Sequence, residues 1–270
     1  MDEATFQFLK SGGFVLSFAL VFILQVSFPY RRGRVVPRNW RQNVPLAILN
    51  AIVLSLVCGA CLCTLANYAE ARHLGLLRMV AVPGWAGALI TLIAFDLVLW
   101  AWHLANHQVA WLWRFHQVHH ADTEFDLSTS LRFHCGELLL SLPLKIGVVL
   151  LLGAPLLGIL LFESVFGLFN LFVHGNIRLP LRLEAPLLRL FVLPAAHRLH
   201  HSVLPEEHEL NFGTIFSFWD RCFRTWKEAR SGDAIVTGLP GFLGAQAPGF
   251  WRLLGLPFQA SRSRSASESG

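Results

Sequence analysis

The chain has 270 residues, of which 54% are hydrophobic and only 14% are charged, and its mean hydropathy is +0.51. A soluble domain carries about 25% charged residues, so this composition indicates a membrane protein. It excludes a disordered chain, a small disulfide scaffold and a soluble nucleic-acid-binding protein. The net charge of +5 therefore bears on membrane topology, and we expect no nucleic-acid partner.

The first apolar run covers residues 14–28 and is followed by five arginines between positions 31 and 41. A secretory signal would begin with basic residues, whereas this chain begins with Met1, Asp2 and Glu3. We therefore predict an uncleaved anchor. The positive-inside rule places the arginines in the cytoplasm and the N-terminus outside.

Three further apolar stretches follow, at residues 44–68, 85–102 and 138–173. A helix of about 20 residues crosses a bilayer, so the last stretch is too long for one helix. Because it contains Pro143, Gly153, Pro155 and Gly158, we predict a helical hairpin. The expected fold is an all-α polytopic membrane bundle of about four to five spanning or hairpin helices with a histidine-rich cap on the cytoplasmic face. If the source is bacterial, the expected location is the inner or plasma membrane.

We expect three parts along the chain: N-terminal membrane helices (1–95), a catalytic domain (96–226) and a cytoplasmic tail (227–270). The tail ends in the low-complexity string SRSRSASESG, which is typical of disorder. Three of the five cysteines, Cys58, Cys61 and Cys63, lie together in the second apolar run. We interpret them as small packing residues of a membrane helix rather than as a metal or redox site.

Eleven of the 12 histidines lie between His103 and His208, and nine of them form an HxxxH pair, two HxxHH triplets and a single His before Gly-Asn. Positions i, i+3 and i+4 are neighbours on a helix, so each triplet is expected to direct three imidazoles into one small volume. Imidazole suits Fe, Zn, Cu and Ni. Nine imidazoles exceed the four ligands of one zinc and suit two metal ions of higher coordination.

These boxes on a polytopic membrane protein resemble the fatty acid hydroxylase (sterol desaturase) superfamily. The resemblance covers about residues 96–225 and includes the strings WRFHQVHH, LRFHCGE, FVHGNIRLP, NFG and FWDR. The chain departs from the commoner form of the first box at Leu104, where the family has arginine.

The resemblance implies a non-haem centre of two Fe ions, for which zinc is an expected substitute in purified material. The centre would use O2 and external electrons to hydroxylate or desaturate a lipid such as a sterol, fatty acyl, ether-lipid or carotenoid chain. The implied metal ligands are His103, His107, His116, His119, His120, His174, His197, His200 and His201, with His134 and His208 as further candidates.

Polar residues near the boxes are candidates to support the ligands. Asp96 shares a helix face with His103 and His107, and we expect its carboxylate to accept a ring N–H from a ligand histidine. Asn176 and Asn211 are candidates to hydrogen-bond a metal-bound water. Four acidic residues follow the second box, and two interpretations of them stay open: they accept a ring N–H from a ligand histidine, or they are solvated loop charges. They are Asp122, Glu124, Asp126 and Glu137.

The favoured interpretation is a membrane-bound, O2-dependent lipid oxygenase whose substrate enters from the bilayer. Since the sequence shows no cytochrome b5 or flavin module, we expect a separate electron donor of cytochrome b5, ferredoxin or rubredoxin type. One alternative is a non-catalytic metal-binding membrane scaffold of the same fold. The other is a membrane zinc hydrolase, which would need an HExxH box that the sequence lacks. The substrate, the choice between hydroxylation and desaturation, and the oligomeric state stay open.

Overall fold

The computed structural model describes residues 1–33, 37–58, 61–80, 82–229, 234–244 and 247–259. In these residues the regular elements are helices, and strand pairing is limited to isolated bridges. The all-α prediction is therefore confirmed. The division of the chain into three parts stays a prediction, and the low-complexity end of the tail lies outside the described residues.

In the part of the chain that the structure describes, five segments are long and apolar enough to cross a membrane, which confirms the prediction of a multi-pass bundle. They are α1 (Glu3–Ser27), a second segment made of α2 (Trp40–Cys58), α3 (Cys61–Ala71) and the short α4 (Leu76–Met79), then α5 (Gly84–Gln108), α7 (Cys135–Leu152) and α8 (Leu156–His174).

Shorter helices cap one end of the bundle. They are α6 (Ala110–His120), α9 (Leu181–Leu187), α10 (Pro194–His200), α11 (Pro205–His208), α12 (Phe218–Cys222) and α13 (Phe250–Gly255), with 3-10 helices at Leu127–Leu131 and Leu256–Phe258.

The predicted hairpin is formed by α7 and α8. Gly153 ends α7 with a positive φ of 66°, a conformation that favours glycine, and Pro155 precedes the first residue of α8. Pro143 and Gly158, which we expected to help break the stretch, instead lie inside α7 and α8. Neighbouring elements of a membrane bundle allow proline within a helix, and Gly158 allows close packing, because a Cβ there would lie 2.8 Å from the Thr91 Cβ.

The core is built where α5, α7 and α8 meet. The rings of Phe95 and Phe162 stack with centroids 4.4 Å apart, and Val149 and Ile159 are fully buried beside them. Cys63 is a free, buried thiol in the same cluster, whereas the side chains of its two neighbouring cysteines lie outside the described residues. Since lipid is as apolar as these side chains, close packing stabilises the helix contacts.

The connection after α1 lies at the same end of the bundle as the histidines. The backbone N–H of Tyr30 donates to the Asn176 carbonyl over 3.1 Å, and that of Asn39 donates to the Glu124 carboxylate over 3.0 Å. The arginine-rich connection and the histidine boxes were predicted on one side, and the structure agrees. That this side is the cytoplasm stays a prediction.

Candidate metal centre

Four helices at one end of the bundle carry the nine predicted ligands. His103 and His107 occupy the last turns of α5, and His174 is the final residue of α8. The two triplets lie on α6 and on α10 with its C-cap. All nine side chains are buried or nearly so, so the cap encloses them.

The nine histidines form two adjacent groups. Within each group, one ligand atom from every residue lies within 4.8 Å of the others. The first group contains His103, His107, His116, His120 and His200. The second group contains His119, His174, His197 and His201. The groups touch where the rings of His120 and His201 stack with centroids 4.3 Å apart.

The expectation that each triplet points into one volume was wrong, because each triplet is divided between the groups. His116 and His120 face the first group, whereas His119 between them faces the second. On α10 the assignment is reversed: the i and i+4 histidines face the second group and the i+3 histidine faces the first. At about 100° per residue, positions i and i+4 differ by about 40°, whereas i+3 and i+4 differ by about 100°. One triplet can therefore serve two ions.

Five of the rings are oriented by a hydrogen bond at Nδ1 to an oxygen acceptor. The pairs, with their Nδ1–O distances, are His103 with the Phe212 carbonyl (2.7 Å), His116 with the Glu137 carboxylate (2.9 Å), His119 with the Arg132 carbonyl (3.3 Å), His174 with the Asn170 carbonyl (2.6 Å) and His200 with the Leu210 carbonyl (2.7 Å). A carbonyl or carboxylate can only accept, so Nδ1 carries the proton. In the neutral ring Nε2 is then an unprotonated donor atom for a metal.

The Nε2 atoms of the second group face one another. Those of His119 and His174 are 3.1 Å apart, and those of His174 and His197 are 3.0 Å apart. Because His119 and His174 both carry their proton on Nδ1, their Nε2 lone pairs point at each other, which is unfavourable unless a cation lies between them. In the first group the buried Nε2 atoms of His103, His116 and His200 have no hydrogen-bond partner among the described residues.

The protonation state of the cap suits metal ligation. Burial lowers the pKa of His119, His120, His197, His200 and His201 well below the ordinary value. These imidazoles are therefore neutral at pH 7, which is the form that binds metals. The two groups fit two metal ions with imidazole ligands, a donor set that suits Fe, Zn, Cu and Ni.

Among the acidic residues after the second box, Glu137 supports a ligand. Its Oε1 accepts from His116 Nδ1, and both side chains are almost fully buried. The other three acidic residues instead bind the start of α2. Asp122 accepts from the amides of Asn39 and Asn43, and Glu124 and Asp126 accept from residues 39 and 40.

Asp96 does not have the predicted partner. Its carboxylate accepts from the backbone N–H groups of Ile215 and Phe216, both over 3.3 Å, and from Trp219 Nε1 over 2.9 Å. The carboxylate therefore fixes the 215–219 segment rather than a histidine ring. Helical spacing correctly placed Asp96 on the same face of α5 as His103. Spacing could not predict that the 215–219 segment packs against that face.

A positioning role that the sequence did not reveal belongs to Asp220. It accepts from the backbone N–H groups of Phe212 and Gly213, both over 2.9 Å, and from Trp100 Nε1. The Phe212 carbonyl in turn holds His103. In the sequence, Asp220 was noted only as part of the string FWDR. The only feature that could have indicated its role is that it is a single acidic residue in an aromatic segment.

The two predicted asparagines do not face the histidine groups. The Asn211 side chain donates to the carbonyls of Ala196 and Lys227 and accepts from the Lys227 N–H, so its amide is held by backbone groups. Asn211 instead holds the backbone on either side of it, and the carbonyls of residues 210 and 212 accept from His200 and His103. Asn176 pairs through both amide atoms with the Arg31 backbone.

The remaining two histidines have different positions. His134 lies outside both groups: it caps α7, accepting from the Gly136 N–H over 3.0 Å, and its other ring nitrogen contacts the Leu254 carbonyl. His208 lies beside the first group. One potential ligand atom from each of His208, His107 and Glu209 lies within 4.8 Å of the other two. Its role as a further ligand stays a prediction.

A cavity that is partly open to its surroundings reaches both histidine groups. His103 and His116 of the first group and His119, His174 and His197 of the second line it. The remaining wall includes Leu99, Trp102, Phe133 and Phe166. A largely apolar cavity with a few convergent polar groups is typical of a binding site for an apolar small molecule.

Comparison with known proteins places the site in a family. The fatty acid hydroxylase family matches residues 88–225, slightly more than half of the chain, and this range contains all nine clustered histidines. No solved structure matches the chain significantly.

Relatives with established names are lipid hydroxylases and monooxygenases. An ornithine lipid hydroxylase of Rhizobium tropici is 30% identical over 167 residues, 62% of this chain and 49% of the relative. A cholesterol 25-hydroxylase of Rattus norvegicus is 31% identical over 159 residues (56% and 50%). An alkylglycerol monooxygenase of Caenorhabditis elegans is 27% identical over 156 residues (53% and 28%). The matches span about half or less of each relative's length. The chain belongs to the fatty acid hydroxylase family.

Proposed function

We propose that the chain is a membrane-bound, O2-dependent oxygenase that hydroxylates a C–H bond of a lipid, with one metal ion held by each histidine group. The cavity carries this proposal, because histidines of both groups form part of its wall and apolar side chains form another part. A lipid chain in this cavity would lie against both groups and be shielded from water.

The native metals in this proposal are two Fe ions, held by His103, His107, His116, His120 and His200 in the first group and by His119, His174, His197 and His201 in the second. When bound, they supply the activation of O2 that an unactivated C–H bond requires. The chain keeps the imidazoles neutral, fixes their rings through Nδ1 and excludes water. Zinc in purified material would not contradict the proposal, because imidazole sites accept both metals.

The proposed substrate is a lipid that enters from the bilayer. The names of the relatives refer to ornithine lipid, cholesterol and alkylglycerol, which all combine a large apolar part with a polar group. Hydroxylation is favoured over desaturation by the same names. We further propose that the histidine end faces the cytoplasm, where a separate electron-donor protein would reach it.

Removing one histidine from each group tests the proposal. His119→Ala and His200→Ala should each abolish formation of an oxygenated lipid in cells, because each opens one metal's coordination shell, while both proteins stay folded in the membrane. His73→Asn is the control: His73 is exposed, lies far from the cap and has a positive φ of 53°, which asparagine tolerates. Lipid extracts would be compared by mass spectrometry for the gain of one oxygen atom.

The same variants separate an oxygenase from a scaffold. If the lipid profile changes equally with wild type and with His119→Ala, the protein acts by its presence and the oxygenase proposal fails. Metal analysis gives a second test. Protein purified anaerobically from iron-replete cells should contain about two metals per chain, because nine imidazoles exceed the capacity of one ion. A single tightly bound zinc that survives His116→Ala would refute the two-metal site.

A further inference from the structure

The three lysines of the chain have an unusual distribution. They are Lys10, Lys145 and Lys227, and the first two lie inside the membrane-spanning helices α1 and α7. A charged residue within a span is costly, and such residues usually face a partner or a cavity. These two lysines lie in the spans and not in the histidine cap. The role of the cap therefore does not explain why charged residues occupy these positions.

One carboxylate lies near both lysines. Lys10 Nζ is 2.9 Å from Glu163 Oε2 on α8, whereas Lys145 acts on Glu163 only through the longer-range attraction of its charge. The Glu163 side chain is 14% exposed and that of Lys10 is 41% exposed. Among the described residues, no acceptor lies within hydrogen-bonding distance of the half-buried Lys145 ammonium. Two ammonium groups and one carboxylate leave this cluster with one unbalanced positive charge.

The three residues lie at one depth in the bundle. Residue 10 is seven positions from the start of α1, residue 145 is seven from the end of α7, and residue 163 is seven from the start of α8. All three of these helix ends lie opposite the histidine cap. At 1.5 Å per residue, each charge is about 10 Å inside that end, which is within the hydrocarbon layer.

Glu163 lies on the same face of α8 as two residues that line the cavity. Glu163, Asn170 and His174 are separated by seven and four residues, so they lie on one face of the helix. Asn170 and His174 line the cavity. Glu163 lies eleven residues, or about 16 Å, below His174 along this face.

We propose that Lys10, Lys145 and Glu163 form the anchor for an anionic end group, a carboxylate or a phosphate, of the lipid whose chain occupies the cavity. The unbalanced positive charge is complementary to one anionic group, and none of the described residues accepts a hydrogen bond from Lys145. The separation of about 16 Å from the histidine end would determine which carbon of the chain reaches the metals. This inference rests on the proposed oxygenase function, because that function defines the occupant of the cavity.

Binding of three probes of equal chain length tests the anchor without requiring turnover. The probes are hexadecanoate, hexadecyl phosphate and hexadecanol, measured with the purified full chain in a neutral detergent. Wild type should bind at least one anionic probe about 10- to 100-fold more tightly than hexadecanol, the range expected for a hydrogen bond to a charged group. Preference for hexadecanoate would indicate a fatty acid source, and preference for hexadecyl phosphate a phospholipid source.

Substitution of Lys145 tests the residue directly. Lys145→Gln should remove the preference for the anionic probe and leave hexadecanol binding unchanged. Lys145→Arg should retain the preference. If Lys145→Gln does not fold, the comparison of charged and neutral probes in wild type still tests the proposal. Lys227→Gln is the matched control, because Lys227 lies outside the spans, 3.2 Å from Glu207, and should bind all probes as wild type does. Equal binding of charged and neutral probes by wild type, or an unchanged preference in Lys145→Gln, would overturn the proposal.

A cavity variant distinguishes the substrate from a lipid bound outside the bundle. Leu99 lines the cavity, so Leu99→Trp should weaken the binding of all three probes if the anchor and the cavity hold one molecule. Lysine-dependent binding that persists in Leu99→Trp would place the anionic lipid outside the cavity and overturn the proposal. If wild type binds the anionic probe through Lys145 and makes no oxygenated product from any lipid, the oxygenase function fails and the anionic site stands.

Discussion

Glu137 gives the sharpest test of how this chain supports its metal ligands. Its Oε1 lies 2.9 Å from His116 Nδ1, and both side chains are almost fully buried. Glu137→Ala removes the acceptor, so the imidazole of His116 loses both its orientation and the charge that raises its basicity. The effect should be confined to the first group, because Glu137 hydrogen-bonds no histidine of the second group.

The magnitude follows from the type of bond. A hydrogen bond to a charged group contributes about 1.5–3 kcal/mol, which corresponds to roughly 10- to 150-fold in affinity. Losses of supporting partners at metal sites typically cost about 10- to 100-fold. Glu137→Gln should cost less than Glu137→Ala, because the amide oxygen still accepts from His116 and only the charge is lost.

A chelator titration of the purified protein measures this effect. As the chelator concentration rises, Glu137→Ala should release one metal per chain well before wild type does, and should retain the second as wild type does. Glu124→Gln is the matched control, because Glu124 also follows the second box and its carboxylate accepts from the Asn39 N–H of α2. Loss of both metals together, or of neither, would refute the assignment of Glu137 to the first group.

Three further outcomes are expected. His197→Ala should lose the metal of the second group and His200→Ala that of the first, although the two positions are only three apart in the chain. Elemental analysis combined with the chelator titration would show whether the two variants differ. Asp220→Asn should lower the unfolding free energy by about 1–3 kcal/mol, measured by thermal or denaturant unfolding, because an amide NH2 would replace one of the oxygens that accept the Phe212 and Gly213 N–H groups. The exposed Cys222 at the histidine end should resist a membrane-impermeant maleimide in intact cells and react after permeabilisation; labelling in intact cells would contradict a cytoplasmic cap.

The spans, the hairpin and the position of each histidine triplet on one helix could be predicted because their signals are local. Apolar length determines a span, Gly153 and Pro155 mark the turn of the hairpin, and i, i+3, i+4 spacing holds within any single helix. Each of these patterns is complete within a few turns of sequence. No knowledge of neighbouring helices is needed to interpret them.

The division of the triplets could not be predicted, because it depends on how α6 and α10 are rotated relative to each other. Within one triplet, the angle between His119 and His120 permits the two side chains to face different ions but does not require it. Both ions are served because α10 places further histidines on each side. The partners of Asp96 and Asp220 are similarly non-local, since each carboxylate binds backbone in a different part of the chain. Spacing identified the face on which Asp96 lies and carried no information about the 215–219 segment packed on it.

A continuous set of hydrogen bonds joins the N-terminal membrane helices to the second histidine group. Asp122 is buried, and its carboxylate accepts from the Asn43 amide at the start of α2. The side-chain Oδ1 of Asn43 accepts from Arg132 Nη1 over 3.0 Å, and the Arg132 backbone carbonyl accepts from His119 Nδ1.

Buried charges are costly unless they are paired and hydrogen-bonded, so Asp122 and Arg132 depend on these partners to remain in the cap. Asn43 lies on the N-terminal side of the boundary expected near residue 95, and His119 lies on the other side. The orientation of a candidate metal ligand therefore rests partly on a side chain of α2. The membrane helices before that boundary contribute to the geometry of the site as well as to its attachment to the bilayer.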